Sequence, residues 1–86
     1  MKIIKIGAMW CSGCLIMNKV LKKIEQKRNI EIVSLDLDMD EEESLSYNPG
    51  DVLPVLIFID KDKEIKRLIG EHSEEEIINI LDGVGD

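Results

Sequence analysis

The sequence predicts an α/β fold in the order β-α-β-(short α)-β-β-α, a four-stranded mixed sheet flanked by helices. Three observations predict it. Short runs rich in Ile, Val and Leu, at Lys2–Gly7, Ile30–Leu37 and Val52–Ile59, read as strands of a largely covered sheet. Between the first two, Met17, Val20, Leu21 and Ile24 recur at helical spacing. After the third, Asp60-Lys61-Asp62-Lys63 is a polar hairpin turn into a fourth strand, Glu64–Ile69.

Each element follows from its residues. Lys2–Gly7 is Ile-rich and short, and Gly7-Ala8-Met9-Trp10 is a loop that leads into a helix from Cys11 to about Arg28. Lys19, Lys22, Lys23, Glu25, Gln26 and Lys27 form its wet face, and Asn29 suits its C-terminal cap. Ile30–Leu37 alternates apolar residues with Glu31, Ser34 and Asp36. Strand, helix, strand implies a parallel pair joined by a right-handed crossover. Asp40 can cap a short helix whose first turn, Glu41-Glu42-Glu43, suits the positive end of the dipole. Asn48-Pro49-Gly50-Asp51 is turn chemistry, and Val52–Ile59 follows with Pro54 near its start. Gly70 ends the fourth strand. Ser73 and Glu76 form a capping box for a last helix with Ile77, Ile78 and Leu81 as its stripe; Gly83 terminates it and Val84-Gly85-Asp86 is expected to fray.

Composition narrows the function. The 86 residues are expected to form a single domain, 1–86, working as a monomer. A chain this short covers only roughly 60 to 68% of its unfolded surface. With one Trp, one Tyr and one Phe, its core falls to Ile, Leu and Val. Eleven basic against 18 acidic residues give a net charge of −7, which argues against nucleic acid or an anionic membrane as partner. The apolar runs are far short of the roughly 20 residues of a membrane span. Lys5 interrupts the first run and no small-residue cleavage site follows before Trp10, so a cytoplasmic location is expected. Cys11 and Cys14 are the only cysteines, and a loop that short is a poor staple, so their role is chemical.

Cys11 falls where a loop meets a helix N-terminus, where free backbone N–H groups and the dipole favour a thiolate. It is the expected nucleophile. Cys14, one turn on, can close a disulfide with it and is the expected resolving thiol. The other reading of the pair is half of a tetrahedral zinc site, which His72 and acids, or a second copy, would have to complete. In the segment Asp36-Leu37-Asp38-Met39-Asp40-Glu41 the acids imitate a calcium loop, but Glu41 stands where such a loop wants Gly and Tyr47 where it wants an acid. It reads as a solvated face. His72, before the last helix, is too isolated for catalysis, and Met9 and Met17 read as packing and groove material.

In this element order, Trp10-Cys11-Ser12-Gly13-Cys14 resembles the active-site motif of the thioredoxin superfamily over nearly the whole chain. Leu53-Pro54 resembles the apolar residue and cis-proline that open the third core strand there, and Gly70 the glycine that closes the fourth. The resemblance implies the strand order second, first, third, fourth, and a compact glutaredoxin-sized core without the strand and helix that open thioredoxins. It implies a thiol-disulfide oxidoreductase without bound cofactor or metal, acting on disulfide-containing protein substrates and reduced by a dithiol or flavoprotein reductase. Trp10, Leu53 and Pro54 would bind substrate, Leu53 pairing with it as an added strand would. A different class of function is a redox-sensitive adaptor that binds a partner through the same surface with little turnover.

The departures from the family pattern lie near the sulfurs. Ser12-Gly13 replaces the Gly-Pro of thioredoxins and the Pro-Tyr of glutaredoxins, residues that help set thiolate stability. Val52-Leu53-Pro54 and Gly70-Glu71 replace the glutathione-gripping Thr-Val-Pro and Gly-Asp of glutaredoxins, which argues against glutathione. Lys5 stands where thioredoxins bury an aspartate behind the second cysteine. The expectation is that Lys5 runs its stem along the sheet and puts its ammonium in water. The alternative is a pKa-tuning role: a charged lysine would stabilise a thiolate, and a neutral one could accept a proton.

Overall fold

The structure, a computed structural model, describes residues 1–83. Its elements run β1 (Lys2–Gly7), α1 (Ser12–Lys27), β2 (Glu31–Asp36), α2 (Glu41–Ser46), β3 (Val55–Asp60), β4 (Lys63–Ile69) and α3 (Glu74–Gly83). The sheet order is β2-β1-β3-β4, with β1 parallel to β2 and antiparallel to β3, and β3 antiparallel to β4. This is the expected order, and the β1-α1-β2 unit supplies the parallel pair.

Alternation along β1 and β3 sends side chains to two faces. Ile3, Leu56 and Phe58 meet Met17, Leu21 and Ile24 of α1 and Ile77 of α3. Ile4, Ile6, Val55 and Ile57 pack with Leu35, Tyr47 and Leu53 on the other face. Lys27–Glu74 (2.7 Å) and Arg28–Asp82 (3.0 Å) tie α1 to α3 at the surface. The β3–β4 hairpin turns on Lys61 and Asp62, both at positive φ (53° and 65°), the conformation of the tight turn whose twist matches its strands. The capping box forms: Glu76 N–H donates to Ser73 Oγ at 3.1 Å, and Ser73 N–H to Glu76 Oε1 at 3.5 Å.

Three local expectations are corrected. Asn29 does not cap α1; the helix ends at Arg28 in extended backbone (φ −125°), its N–H bonded to the Ile24 carbonyl. Asp40 is the N-cap of α2 but caps nothing with its side chain, because its Oδ2 accepts the Asp36 N–H at 3.0 Å instead. β3 starts at Val55 rather than Val52: Pro54 has no N–H to give a ladder, and Val52 is exposed. The expected fraying of Val84-Gly85-Asp86 lies outside the described residues.

Candidate active site

β1 ends at Gly7 under the start of α1, and the intervening loop delivers Cys11 as the helix N-cap, extended at φ −94°. Its Sγ accepts the Cys14 backbone N–H at 3.2 Å, so the sulfur takes the place of a capping oxygen. The first turn of α1 holds no acidic residue, which leaves its N–H groups and dipole to that sulfur. Cys11 is half-buried; Cys14, one turn on, is 1% exposed, and both are free thiols.

Two glycines at the site stand close to a neighbouring side chain. A Cβ on Gly7 would stand 2.9 Å from Cys14 Sγ, so only glycine lets the strand pass beneath the sulfur. A Cβ on Gly13 would stand 2.8 Å from Glu71 Oε1, because Glu71 lies across the first turn of α1. Burial pushes the Cys14 thiol up to about 11. Its hydrogen bond with Cys11, and Cys11's charge, push the same way, while a backbone hydrogen bond from Ala8 and the positive charge of Lys5 pull it back only in part.

The expectation that Lys5 reaches water is overturned. Lys5 is 6% exposed, in an inner strand with Ser34 of β2 on one side and Leu56 of β3 on the other, and covered by α1. Its Nζ donates to Asn18 Oδ1. It lines a cavity of about 420 Å³ with Gly7, Cys14, Asn18, Asp36 and Asp40. The stem stays buried under α1, and the head reaches an acceptor, Asn18, on that helix.

The other expected site residues fall around the same end of the sheet. The Leu53-Pro54 peptide is cis; Pro54 is buried one step beyond the Ile6–Val55 pair, which puts it beside Gly7. Its carbonyl accepts the Gly70 N–H at 2.8 Å. Trp10 is 71% exposed, with Nε1 donating to Asp38 Oδ2 at 3.2 Å, and Met9 is 78% exposed. Ser12 is exposed and Gly13 buried in the first turn of α1. His72 is engaged elsewhere, Nδ1 with Glu76 at 2.9 Å and Nε2 with the Ile69 carbonyl at 3.1 Å. The Glu76 bond holds it above the ordinary histidine range. Asp36 Oδ1 accepts the N–H groups of Asp38 and Met39 at 2.8 and 3.1 Å. Among the described residues no three His, Cys, Asp or Glu side chains converge in a way that could hold a metal ion. Sequence reasoning missed Asn18 and Glu71. Asn18 had a signal, since it stands four residues after Cys14 and so on the same helix face; Glu71 against Gly13 had none.

Residues 1–83 match the thioredoxin family model. The chain is 30% identical over 80 residues to a thioredoxin of Borreliella burgdorferi, a match covering 92% of this chain and 68% of that one. It is 28% identical over 74 residues to thioredoxin H-type 1 of Nicotiana tabacum, covering 85% and 58%. This chain therefore spans about two thirds of the first relative and less of the second. The solved structure of thioredoxin 1 from Thermosipho africanus is similar at a TM-score of 0.85 and 28% identity, over 95% of this chain and 91% of that one. A half-buried capping thiol over a fully buried partner, in a chain whose residues 1–83 match the family model, makes this chain a member of the thioredoxin family, a family of thiol-disulfide oxidoreductases.

Proposed function

We propose that the chain reduces protein disulfides through Cys11 and Cys14. The observation that carries this is the asymmetry of the pair: one sulfur reachable at a helix N-terminus, the other sealed directly behind it. Cys11 thiolate attacks one sulfur of a substrate disulfide; a Cys11–substrate bond forms, the substrate S–S bond breaks, and the released thiolate takes a proton. Cys14 then loses its proton and attacks Cys11 Sγ, which breaks the mixed disulfide. Substrate gains two electrons and the cysteine pair, now a disulfide, has lost two. Burial suits Cys14 to this order of events, because a protonated thiol does not compete for substrate and acts only on a disulfide held at Cys11.

Exposed Met9 and Trp10, with Leu53 and cis-Pro54 at the same end of the sheet, support docking of an extended disulfide-bearing segment there. The electron donor in this reading is a dithiol or flavoprotein reductase, and the protein works as a cytoplasmic monomer. No helix among the described residues is long and apolar enough to cross a membrane.

Substitution tests the roles. Cys11→Ser should lower disulfide-reduction turnover on the order of 10³-fold or more. Cys14→Ser should retain the first attack and accumulate a mixed disulfide, visible by intact mass. Redox titration in graded dithiothreitol buffers should find one couple with a midpoint between about −280 and −200 mV. A midpoint near −120 mV would instead mark an oxidant, and failure to form the intramolecular disulfide at any poise would end the oxidoreductase reading.

A further inference from the structure

We propose that Lys5, held by Asn18, is a positioning residue of the resolving step: a fixed cation that stabilises the Cys14 thiolate as it attacks the Cys11–substrate disulfide. This rests on the two-cysteine reading above and assigns the resolving half of the reaction its electrostatic partner.

Lys5 is the only buried charged side chain among the described residues. Burying a charge is costly, and a residue of similar length without one, such as Met, would extend the apolar face of Ile3, Leu56 and Phe58. The placement of the charge indicates its use. Lys5 Cε and Cys14 Sγ lie 3.4 and 2.9 Å from the point where a Gly7 Cβ would stand, so the two atoms are no more than 6.3 Å apart. The ammonium continues to Asn18, four residues after Cys14 on α1. Asn18 offers a neutral acceptor, and no carboxylate pairs with Lys5 among the described residues. Its charge is thus held in place without being neutralised.

Besides Lys5, only the Ala8 backbone hydrogen bond favours ionisation of Cys14, and Cys11 opposes it. Cys11 faces it from the N-cap of α1, while Asp36 at the end of β2 and Asp40 before α2 line the same cavity. Both aspartates are fixed by bonds to backbone N–H groups. β3 contributes apolar Leu56 beside Lys5 and no charge. Lys5 is therefore the one cation on that cavity. Desolvation of Cys14 makes such a partner valuable, since a counter-charge acts most strongly where water is excluded. In the step itself Lys5 keeps its proton. The Cys14 proton leaves through the cavity to solvent, the Cys14–Cys11 bond forms, and the Cys11–substrate bond breaks with its electron pair on the departing sulfur.

The test uses an aromatic disulfide, dithiobis-nitrobenzoate, with the reduced full chain in a stopped-flow spectrometer. Attack by Cys11 releases one coloured thiolate and resolution by Cys14 releases a second, so the two steps are read separately. In Lys5→Met the second release should slow about tenfold near pH 7 and its pH midpoint should move up by about one unit, with the first release within about twofold of wild type. Asn18→Ala, at an exposed helix position, should slow the second release in the same direction by a smaller factor. A second release with wild-type rate and pH midpoint in Lys5→Met overturns the proposal. If that variant does not fold, an unchanged second release in Asn18→Ala overturns it. Wild type that releases only one equivalent would sink the two-cysteine reading itself, and this inference with it.

Discussion

The inner wall behind Cys14 and the outer rim around Cys11 hold the same pair of sulfurs under opposite conditions. On the wall, Gly7, Cys14 and Lys5 are buried; on the rim, Trp10, Ser12 and Glu71 face water. Each region contains a glycine with almost the same clearance, 2.9 Å from a Gly7 Cβ to Cys14 Sγ and 2.8 Å from a Gly13 Cβ to Glu71 Oε1. The clearances match, but the obstacles differ. A buried cysteine sulfur moves on a single torsion from a helix that fixes its root, whereas a glutamate carboxylate on the surface can swing into solvent. A short contact is a constraint only when the neighbour cannot leave, and this difference separates the seat of Cys14 from the surroundings of Cys11.

Gly7→Ala should therefore give the largest effect on stability. The added methyl meets a buried sulfur at 2.9 Å, and overpacking of this kind costs about 1–3 kcal/mol. Urea unfolding of the reduced variant against wild type measures it. The second release of aromatic thiolate should slow as well, because relief of the clash moves Cys14 away from Cys11. A variant with wild-type stability would show that the wall is as yielding as the rim.

The pH dependence of stability sharpens the same contrast. In the folded protein the Cys14 thiol titrates at about 11 against an ordinary 9.0, with burial the largest cause. Its folded value is raised, so the folded state keeps a proton that the unfolded state has already lost. The associated stability is fully present below pH 9 and is lost as pH rises towards 11. The reduced protein should lose on the order of 2 kcal/mol more than Cys14→Ala across that window, measured by urea unfolding at each end. Equal losses would mean that Cys14 is not sealed from water.

What could be read in advance follows the same division. Element order and the parallel β1–β2 pair were legible because Ile runs and helical spacing are local signals, and Trp10-Cys11-Ser12-Gly13-Cys14 with Leu53-Pro54 marks the site in the chain itself. The wall was not legible. Lys5 reads as a lysine with a stem long enough to reach water, and only the register with Ser34 and Leu56, under α1, shows that it is buried. Its partner Asn18 is thirteen residues away. Cap chemistry failed at Asp40 for a related reason: a residue suited to a cap can be taken by a turn partner, as the Asp36 N–H takes the Asp40 carboxylate from the start of α2.

Gly13→Ala is the smallest expected effect and the most direct test of the comparison. Gly13 has ordinary helical backbone without positive φ and lies in the first turn of α1, where alanine is admissible and its propensity gain over glycine is only partly realised. Against that gain stands displacement of Glu71, which makes no hydrogen bond or ion pair among the described residues to lose. The two terms should leave stability within about 0.5 kcal/mol of wild type in urea unfolding. A loss as large as that of Gly7→Ala would mean that Glu71 is pinned across the active-site turn. The double variant Gly13→Ala with Glu71→Ala would then recover the stability, because removing the carboxylate leaves the new methyl nothing to strike. If Gly13→Ala is neutral and Gly7→Ala is not, freedom of the neighbour, rather than distance to it, is what divides the two halves of the cysteine pair.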